Sequence, residues 1–367
     1  MTDSSTAHDA QFMRRALDLA REGWGQTAPN PMVGAVVVRD GKIVGEGYHA
    51  RFGEAHAEIM ALRAAGSRAE GATLYVTLEP CRHYGKTPPC TEAILESGVE
   101  RVVIAVADPT DVAGGGAAIL RNALLDVDVG VLEAEARELN APFFNAVRSD
   151  LPWTTLKLAV SIETAIARRR GSSDWLTGPE SRAEVHRMRA GSDAIAVGVG
   201  TVIADDPELT VREFRTPRKA PARVVFDRRL RTPPGAKVIR TARQTPTIVV
   251  TESVSSKKAE SLRAAGVHLI AATDLREGFR RLRSAGARAL LLEGGATIAA
   301  AVLEAKLVNR LVIFQAPVAL GSDALHAFDG ARPGALSELE SYPVVDRRQL
   351  GGGAGPDVMT TYALSEI

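Results

Sequence analysis

The sequence predicts an α/β protein built as two domains. Three observations carry that reading. At 367 residues the chain has room for two domains of ordinary size. Apolar stretches of strand length alternate with helix-patterned stretches almost to the end. The run Ser149-Asp150-Leu151-Pro152 is polar and then carries a proline, which sets the domains at 1–148 and 149–367.

Taken in order, Phe12, Met13, Ala16, Leu17, Leu19 and Ala20 have helical spacing, and Gly23 and Gly25 follow as stops. A helix is expected over 9–21. Residues 33–39 and 42–48 read as strands joined by the hairpin signal Asp40-Gly41. Helices are expected over 57–65, 88–97 and 117–125, strands over 72–78, 101–107 and 127–132, and one closing helix over 133–147. This order fits a three-layer α/β/α domain with a mixed sheet. Beyond the boundary, strands at 153–161, 193–198, 223–227, 247–251, 267–271, 289–293, 310–316 and 357–362 alternate with helices at 180–189, 256–265, 275–284 and 296–305. That alternation predicts a largely parallel sheet.

Composition narrows the function. Lys+Arg 45 against Asp+Glu 44 leaves no basic surplus, so bulk charge does not argue for nucleic acid. A hydrophobic content of 45% with 24% charged residues fits a soluble globular chain, and no apolar run reaches the ~20 residues of a membrane span. Residues 1–8 are polar, lack the pattern of a signal peptide and are expected to be a disordered tag. A cytoplasmic location is expected, and a homo-oligomer is compatible with the sequence.

The densest chemistry lies between Gly53 and Cys90. His56-Ala57-Glu58 is followed by Pro80-Cys81 and by Pro89-Cys90. One histidine and two cysteines are the protein ligands of a catalytic zinc that keeps its fourth position for water. A glutamate two residues after the histidine does not share its helix face, so Glu58 reads as the proton shuttle rather than a ligand. Cys90 after two prolines reads as a helix start, where the dipole favours a thiolate. His-x-Glu, Pro-Cys and a second cysteine form the pattern of zinc deaminases acting on nucleobases. A lone His-x-Glu is ordinary on a helix surface, and two cysteines alone can be small core residues. Here both cysteines of the chain fall within the pattern.

The first 147 residues resemble the deaminase domain of the RibD family of bifunctional riboflavin-biosynthesis proteins. The resemblance rests on Pro29-Asn30-Pro31-Met32-Val33-Gly34, Gly45-Glu46-Gly47-Tyr48-His49, His56-Ala57-Glu58, Thr77-Leu78-Glu79-Pro80-Cys81, Thr87-Pro88-Pro89-Cys90, Ala107-Asp108-Pro109 and Val112-Ala113-Gly114-Gly115-Gly116. Eight residues separate the cysteines, where cytidine and tRNA adenosine deaminases usually have two. The resemblance implies a cytidine-deaminase-like fold and substrate contacts from Asn30, His49, His83 and Lys86. Arg82 stands where the family usually has serine or asparagine.

In the second half, Glu293-Gly294-Gly295-Ala296-Thr297 puts two glycines between a strand and a helix, where backbone amides can meet a phosphate. Val197-Gly198-Val199-Gly200-Thr201 reads as a second strand-to-glycine turn, and neither is the dinucleotide fingerprint. Leu156-Lys157-Leu158-Ala159, Ser173-Asp174-Trp175-Leu176-Thr177, Gly200-Thr201-Val202, the run from Ala204 to Arg212, Leu292-Glu293-Gly294-Gly295, Ala316-Pro317 and Leu320-Gly321 resemble the RibD reductase domain. That resemblance implies a dihydrofolate-reductase-like α/β fold that uses NADPH. It implies cofactor contacts from Ala159, Trp175, Thr201, Asp205 and the turn Gly295, Ala296, Thr297, Ile298, Ala299, Ala300 and Ala301. It implies substrate contacts from Ser173, Arg189, Leu209, Arg212 and Glu293, with the two arginines suited to a phosphate. Lys157 is a candidate to assist reduction.

One departure stands out. The family usually reads Ser-Leu-Asp-Gly and then a basic residue, and this chain has Ser161-Ile162-Glu163-Thr164-Ala165. Two explanations are open: a local divergence that weakens or alters reduction, or compensating frameshifts in the recorded sequence. Arg168-Arg169-Arg170 reads as a phosphate grip or as a solvated loop.

The resemblance implies zinc-dependent deamination of a diamino-pyrimidinone carrying phosphoribosylamine, then NADPH-dependent reduction of its ribosyl group to ribityl. Two rivals are kept. One is a deaminase of another pyrimidine or of tRNA, whose C-terminal domain only binds or dimerises. The long insert between the cysteines and the balanced charge weigh against it. The other is a regulator with a structural zinc, against which Glu58 and a three-ligand set weigh.

Overall fold

The computed structural model describes residues 3–85, 88–172, 175–328, 342–351 and 355–367. Contacts divide the chain into Met1–Arg148 with Ile367, and Ser149–Glu366. Among the described residues no helix is long and apolar enough to cross a membrane.

The first unit runs α1 (Asp3–Arg21), β1 (Gly34–Arg39), β2 (Lys42–Tyr48), α2 (Ala57–Ala65), β3 (Thr73–Val76), α3 (Cys90–Glu96), β4 (Arg101–Ile104), α4 (Gly116–Asn122), β5 (Asp126–Val129), α5 (Glu133–Leu139) and α6 (Ala141–Arg148). The sheet order is β2-β1-β3-β4-β5, antiparallel at the β1 pairs and parallel beyond β3. Successive strand residues face opposite sides, and both sides are apolar. Val37, Leu74, Val102 and Ile104 pack under α2, α3 and α4. Val36, Tyr75 and Val103 pack against α1, α5 and α6. The three layers follow from that double-sided pattern. Asp40 (φ 51°) and Gly41 (φ 71°) make the predicted hairpin turn.

Two expectations change here. The first helix begins at Asp3, inside the stretch read as a disordered tag. The closing helix is two helices, because Asn140 turns inward at their junction. Its side chain accepts from the Met32 amide at 2.8 Å and donates to the Met32 carbonyl at 2.8 Å.

The second unit runs β6 (Trp153–Val160), β7 (Ala165–Ala167), α7 (Pro179–Ala190), β8 (Ala194–Gly198), α8 (Val199–Asp205), β9 (Ala222–Phe226), α9 (Lys237–Arg240), β10 (Thr247–Thr251), α10 (Lys257–Ala264), β11 (His268–Ala271), α11 (Leu275–Ser284), β12 (Ala289–Leu292), α12 (Ala296–Glu304), β13 (Arg310–Gln315), β14 (Leu325–His326), β15 (Val344–Leu350) and β16 (Asp357–Ala363). Nine strands form one sheet in the order β11-β10-β9-β8-β12-β6-β13-β16-β15. It is parallel through β13, and β16 and β15 add an antiparallel edge. Alternate residues of β8 again separate two cores: Ala194 and Ala196 lie with α11 and α12, Ile195 and Val197 with α8 and α10.

The stretch 197–201, read as a turn, instead passes straight from β8 into α8. β7, α9, β14 and β15 had no counterpart in the sequence reading. β15 is exposed along almost its whole length, so it carries no apolar alternation to find.

The departure at 161–165 closes a short turn. Ser161 N–H donates to Ala165 O at 2.9 Å, and Ala165 N–H to Ser161 Oγ at 3.1 Å. Thr164, at the position where the resembled family usually has glycine, takes φ 65°. A β-branched residue there is strained. Glu163 accepts the Leu320 amide and, at 3.0 Å, the Gly321 amide. These bonds pull its carboxyl down to about 2. Arg168, Arg169 and Arg170 are exposed in the turn after β7.

Thr164→Gly should stabilise the second unit by about 1 kcal/mol, the left-handed penalty less the glycine entropy cost, as read from its denaturant midpoint. The carboxylate bonds of Glu163 should stabilise the fold fully above the ordinary value of 4.5 and be lost as pH falls towards about 2. Glu163→Gln should remove that part of the acid dependence in melting curves taken across the window.

Candidate active sites

In the first unit three chain segments bring their polar groups to one point. His56 is the N-cap of α2, extended at φ −74° and ψ 161°, and makes no capping bond, so its ring turns away from the helix. Cys90 is the first residue of α3. Cys81 lies in the loop beyond β3. His56 Nδ1 is 3.2 Å from Cys90 Sγ and 3.6 Å from Cys81 Sγ. The three donor atoms lie within 4.8 Å of one another. In a tetrahedral zinc site an imidazole nitrogen and a thiolate sulfur stand about 3.6 Å apart. The donor set and its spacing therefore fit zinc.

The electrostatics agree. A hydrogen bond shared with Cys90 pulls the Cys81 thiol down to about 4. The same bond and burial push Cys90 up. One proton leaves easily, and a second thiolate beside the first requires a cation. The hydrogen bond to Cys81 raises His56. Glu58, the second residue of α2, is buried, and burial raises its carboxyl above the ordinary range. A carboxyl poised in this way is suited to taking up and releasing a proton.

A cavity of about 170 Å³ opens beside this cluster, lined by Asn30, Phe52, Gly53, Glu54, His56, His83 and Gly85. His49 lies behind it. Its Nδ1 is 3.1 Å from the Ala55 carbonyl, which makes Nδ1 the protonated nitrogen. Its Nε2, 3.2 Å away, then accepts from the Asn30 amide. Burial lowers the His49 pKa and keeps the ring neutral. His83 Nδ1 is buried with no hydrogen-bond partner among the described residues. Lys86 lies outside the described residues.

In the second unit β8, β12 and β6 are neighbours, so their C-terminal ends bring α8, Glu293 to Gly295 and Ala159 to one edge of the sheet. Gly294 (φ 57°) and Gly295 (φ 94°) turn β12 into α12. A Cβ on Gly295 would lie 2.9 Å from Thr201 Oγ1. Glycine there lets Thr201 come close to the backbone at the N-terminus of α12, whose free amides suit a cofactor phosphate. Ala296 to Ala301 belong to α12, and Asp205 ends α8. Trp175 is exposed, with the Arg182 guanidinium 5.3 Å above its ring. Ser173 lies outside the described residues.

Arg189 is arranged differently from the expected phosphate partner. It grips Glu293 with two bonds, Nε to Oε1 at 2.5 Å and Nη2 to Oε2 at 2.8 Å, and its Nη1 donates to Thr210 O at 2.9 Å. The pair is largely buried, and Arg189 holds Glu293 below the ordinary carboxylate range against the burial that would raise it. Burial lowers the Lys157 ammonium, partly countered by Glu293. Arg212 is exposed and pairs with Glu208 at 2.9 Å. Leu209 has its side chain in the core with Val199 and Val202.

The sequence reading assigned no role to Asn140, His186 or Glu79. His186 Nδ1 accepts the Arg212 amide at 3.1 Å. Its signal was a position three before Arg189, on the same face of α7. Glu79 had been quoted only as part of a motif.

The matches with known proteins agree with this division. Residues 6–106 match the family model described as "Cytidine and deoxycytidylate deaminase zinc-binding region", and residues 152–346 match "RibD C-terminal domain". The chain is 47% identical over 316 residues to riboflavin biosynthesis protein RibD of Aquifex aeolicus, covering 85% of this chain and 88% of that one. It is 42% identical over 333 residues to the Escherichia coli protein of the same name, covering 86% and 89%. Solved structures of Acinetobacter baumannii RibD (36% identical) and of a Thermotoga maritima diaminohydroxyphosphoribosylaminopyrimidine deaminase/5-amino-6-(5-phosphoribosylamino)uracil reductase (35%) each superpose with a TM-score of 0.85. They cover 98% of this chain and 100% and 99% of theirs.

Replacing Arg189 with methionine should destabilise the second unit by about 3 kcal/mol, because it leaves a buried carboxylate unpaired. Denaturant titration of the single variant and of the Arg189→Met, Glu293→Gln double variant checks this, the double being the more stable.

Proposed function

This chain belongs to the RibD family, and we propose that it is a bifunctional enzyme of riboflavin synthesis. The unit at 1–148 deaminates 2,5-diamino-6-(5-phosphoribosylamino)pyrimidin-4-one, and the unit at 149–367 reduces the ribosyl group of the product to ribityl. The observation that carries the reading is the meeting of His56, Cys81 and Cys90 beside a buried Glu58.

Zinc, held by His56 Nδ1 and the two sulfurs, would supply a water made acidic enough to ionise at roughly pH 7. Glu58 would carry one proton of that water to the ring nitrogen and then the second, from the hydroxyl so added to the ring carbon, to the amino group, which departs as ammonia. Asn30 and His83 line the cavity that receives the pyrimidine, and His49 fixes the Asn30 amide. Lys86, in the stretch between the two cysteines, counts among the substrate contacts.

NADPH, held by Thr201, the Gly294-Gly295 turn and the start of α12, with Ala159, Trp175 and Asp205 around it, would supply a hydride for the open-chain ribosyl C1. Lys157 and Glu293 polarise or protonate the group being reduced, and Arg189 keeps Glu293 in place. Ser173, Leu209 and Arg212 belong to the substrate side. Two free metal-binding cysteines suit a reducing compartment, and we place the enzyme in the cytoplasm.

The test follows ammonia release and NADPH oxidation together, with zinc-loaded protein and the diamino-pyrimidinone substrate. Both signals are expected, and Glu58→Gln should cut ammonia release at least about 100-fold, the share of general acid–base catalysis, while retaining zinc. Ammonia without NADPH oxidation would remove the reductase half of the reading. No ammonia from zinc-loaded protein would remove the substrate assignment.

A further inference from the structure

We propose that Glu79 is a positioning residue of the deaminase: by gathering backbone amides from the segment 108–117, it sets where the Cys81 sulfur stands. The proposal rests on the zinc-deaminase reading of the first unit.

Cys81 lies in a loop, outside helix and strand. A metal ligand on a loop is placed only as well as the loop is held. Glu79, two residues before it, is buried. Its Oε2 accepts the Asp108 amide at 3.0 Å. Its Oε1 accepts the Gly115 amide at 3.1 Å and the Ala117 amide at 2.8 Å. One carboxylate thus ties the exit of β3 to the loop after β4 and to the start of α4. Its own amide donates to Val106 O at 2.9 Å. The segment it grips is itself shaped, since Asp108 Oδ1 accepts from Thr110 N at 2.8 Å and from Thr110 Oγ1 at 2.6 Å.

The residues after Glu79 are held from the same segment. A Cβ on Gly116 would lie 1.9 Å from Pro80 O, so the backbones meet with no side chain between them. Arg82 Nη2 donates to Asp111 O at 2.8 Å. From α3, Thr91 N–H donates to Cys81 O at 3.3 Å. The four residues 79–82 are therefore fixed at each step, and the sulfur direction follows from that.

Only a carboxylate suits the position. Its two oxygens accept on both sides and donate on neither. Glutamine offers one oxygen and one NH2. Whichever way it turns, an NH2 faces either the Asp108 amide or the Gly115 and Ala117 amides. The loop then shifts, and Cys81 with it.

The experiment uses the full chain as wild type, Glu79→Gln and Arg82→Ser, each loaded with zinc or with cobalt, at a temperature where circular dichroism shows all three folded. Glu79→Gln should surrender zinc to a chromogenic chelator about 10- to 100-fold faster than wild type, the effect of removing a group that orients a metal ligand. Its thiolate-to-cobalt absorption should shift, a change that lost stability alone does not produce. Arg82→Ser, which removes an exposed arm of the clamp, should give a smaller increase in the same direction. Zinc release and a cobalt spectrum equal to wild type in Glu79→Gln would overturn the proposal. So would a Glu79→Gln chain whose first unit does not fold, since Glu79 would then serve the fold and not the site. A wild-type chain that holds no zinc would instead remove the metal reading beneath it.

Discussion

Two sulfur atoms and an imidazole nitrogen within 4.8 Å of one another make a demand that the protein alone does not meet. The first thiol of the pair ionises readily, and the second resists because of the hydrogen bond it shares with the first and because it is buried. A divalent cation resolves the conflict by neutralising both. The rest of the first unit can be understood as support for that point. α2 delivers His56 and Glu58 from its first turn, α3 delivers Cys90, and the loop beyond β3 delivers Cys81. α2 and α3 are seated on the same apolar face of the sheet, so His56, Glu58 and Cys90 inherit the rigidity of a packed core.

The second unit meets a related problem with its own groups. Lys157, Arg189 and Glu293 are charged and poorly solvated, and they interact at the C-terminal edge of the parallel strands. The bidentate pair fixes Glu293 and leaves Lys157 as a second cation at reduced basicity. A lysine whose ammonium is weakened by burial gives up a proton more readily than one in water. The glycine turn beside it packs too closely against Leu158 and Thr201 for a side chain to be accommodated.

How much of this was readable from residues alone differs from place to place. The hairpin carried a strong local signal in Asp40-Gly41, and α2 has the bounds expected of it. The metal cluster was readable because its chemistry demands particular residue types at particular spacings. α8 was not, because Gly198 and Gly200 suggested a turn, and packing of Val199 and Val202 in the core overrode that local preference. The split of the closing helix depends on Asn140 reaching Met32, a contact 108 residues away that no local window contains. The resemblance implied Arg189 as a substrate contact; its guanidinium also suits Glu293. Only the fold brings those two together across 104 residues.

The outer strand β15 bears on how the molecule behaves among its neighbours. It forms one margin of the nine-stranded sheet, and a sheet margin is a template on which another chain can build. Here the template is spoiled twice. The register slips between Val344 and Asp346, which bends the strand out of line. Asp346, Arg347 and Arg348 then set three charges side by side, and Arg348 is tied down to Glu184 at 2.8 Å. A strand arriving from a second molecule would meet a kink and have to strip water from ions. The part of the sheet that carries no chemistry is thus a poor template for strand addition along that edge.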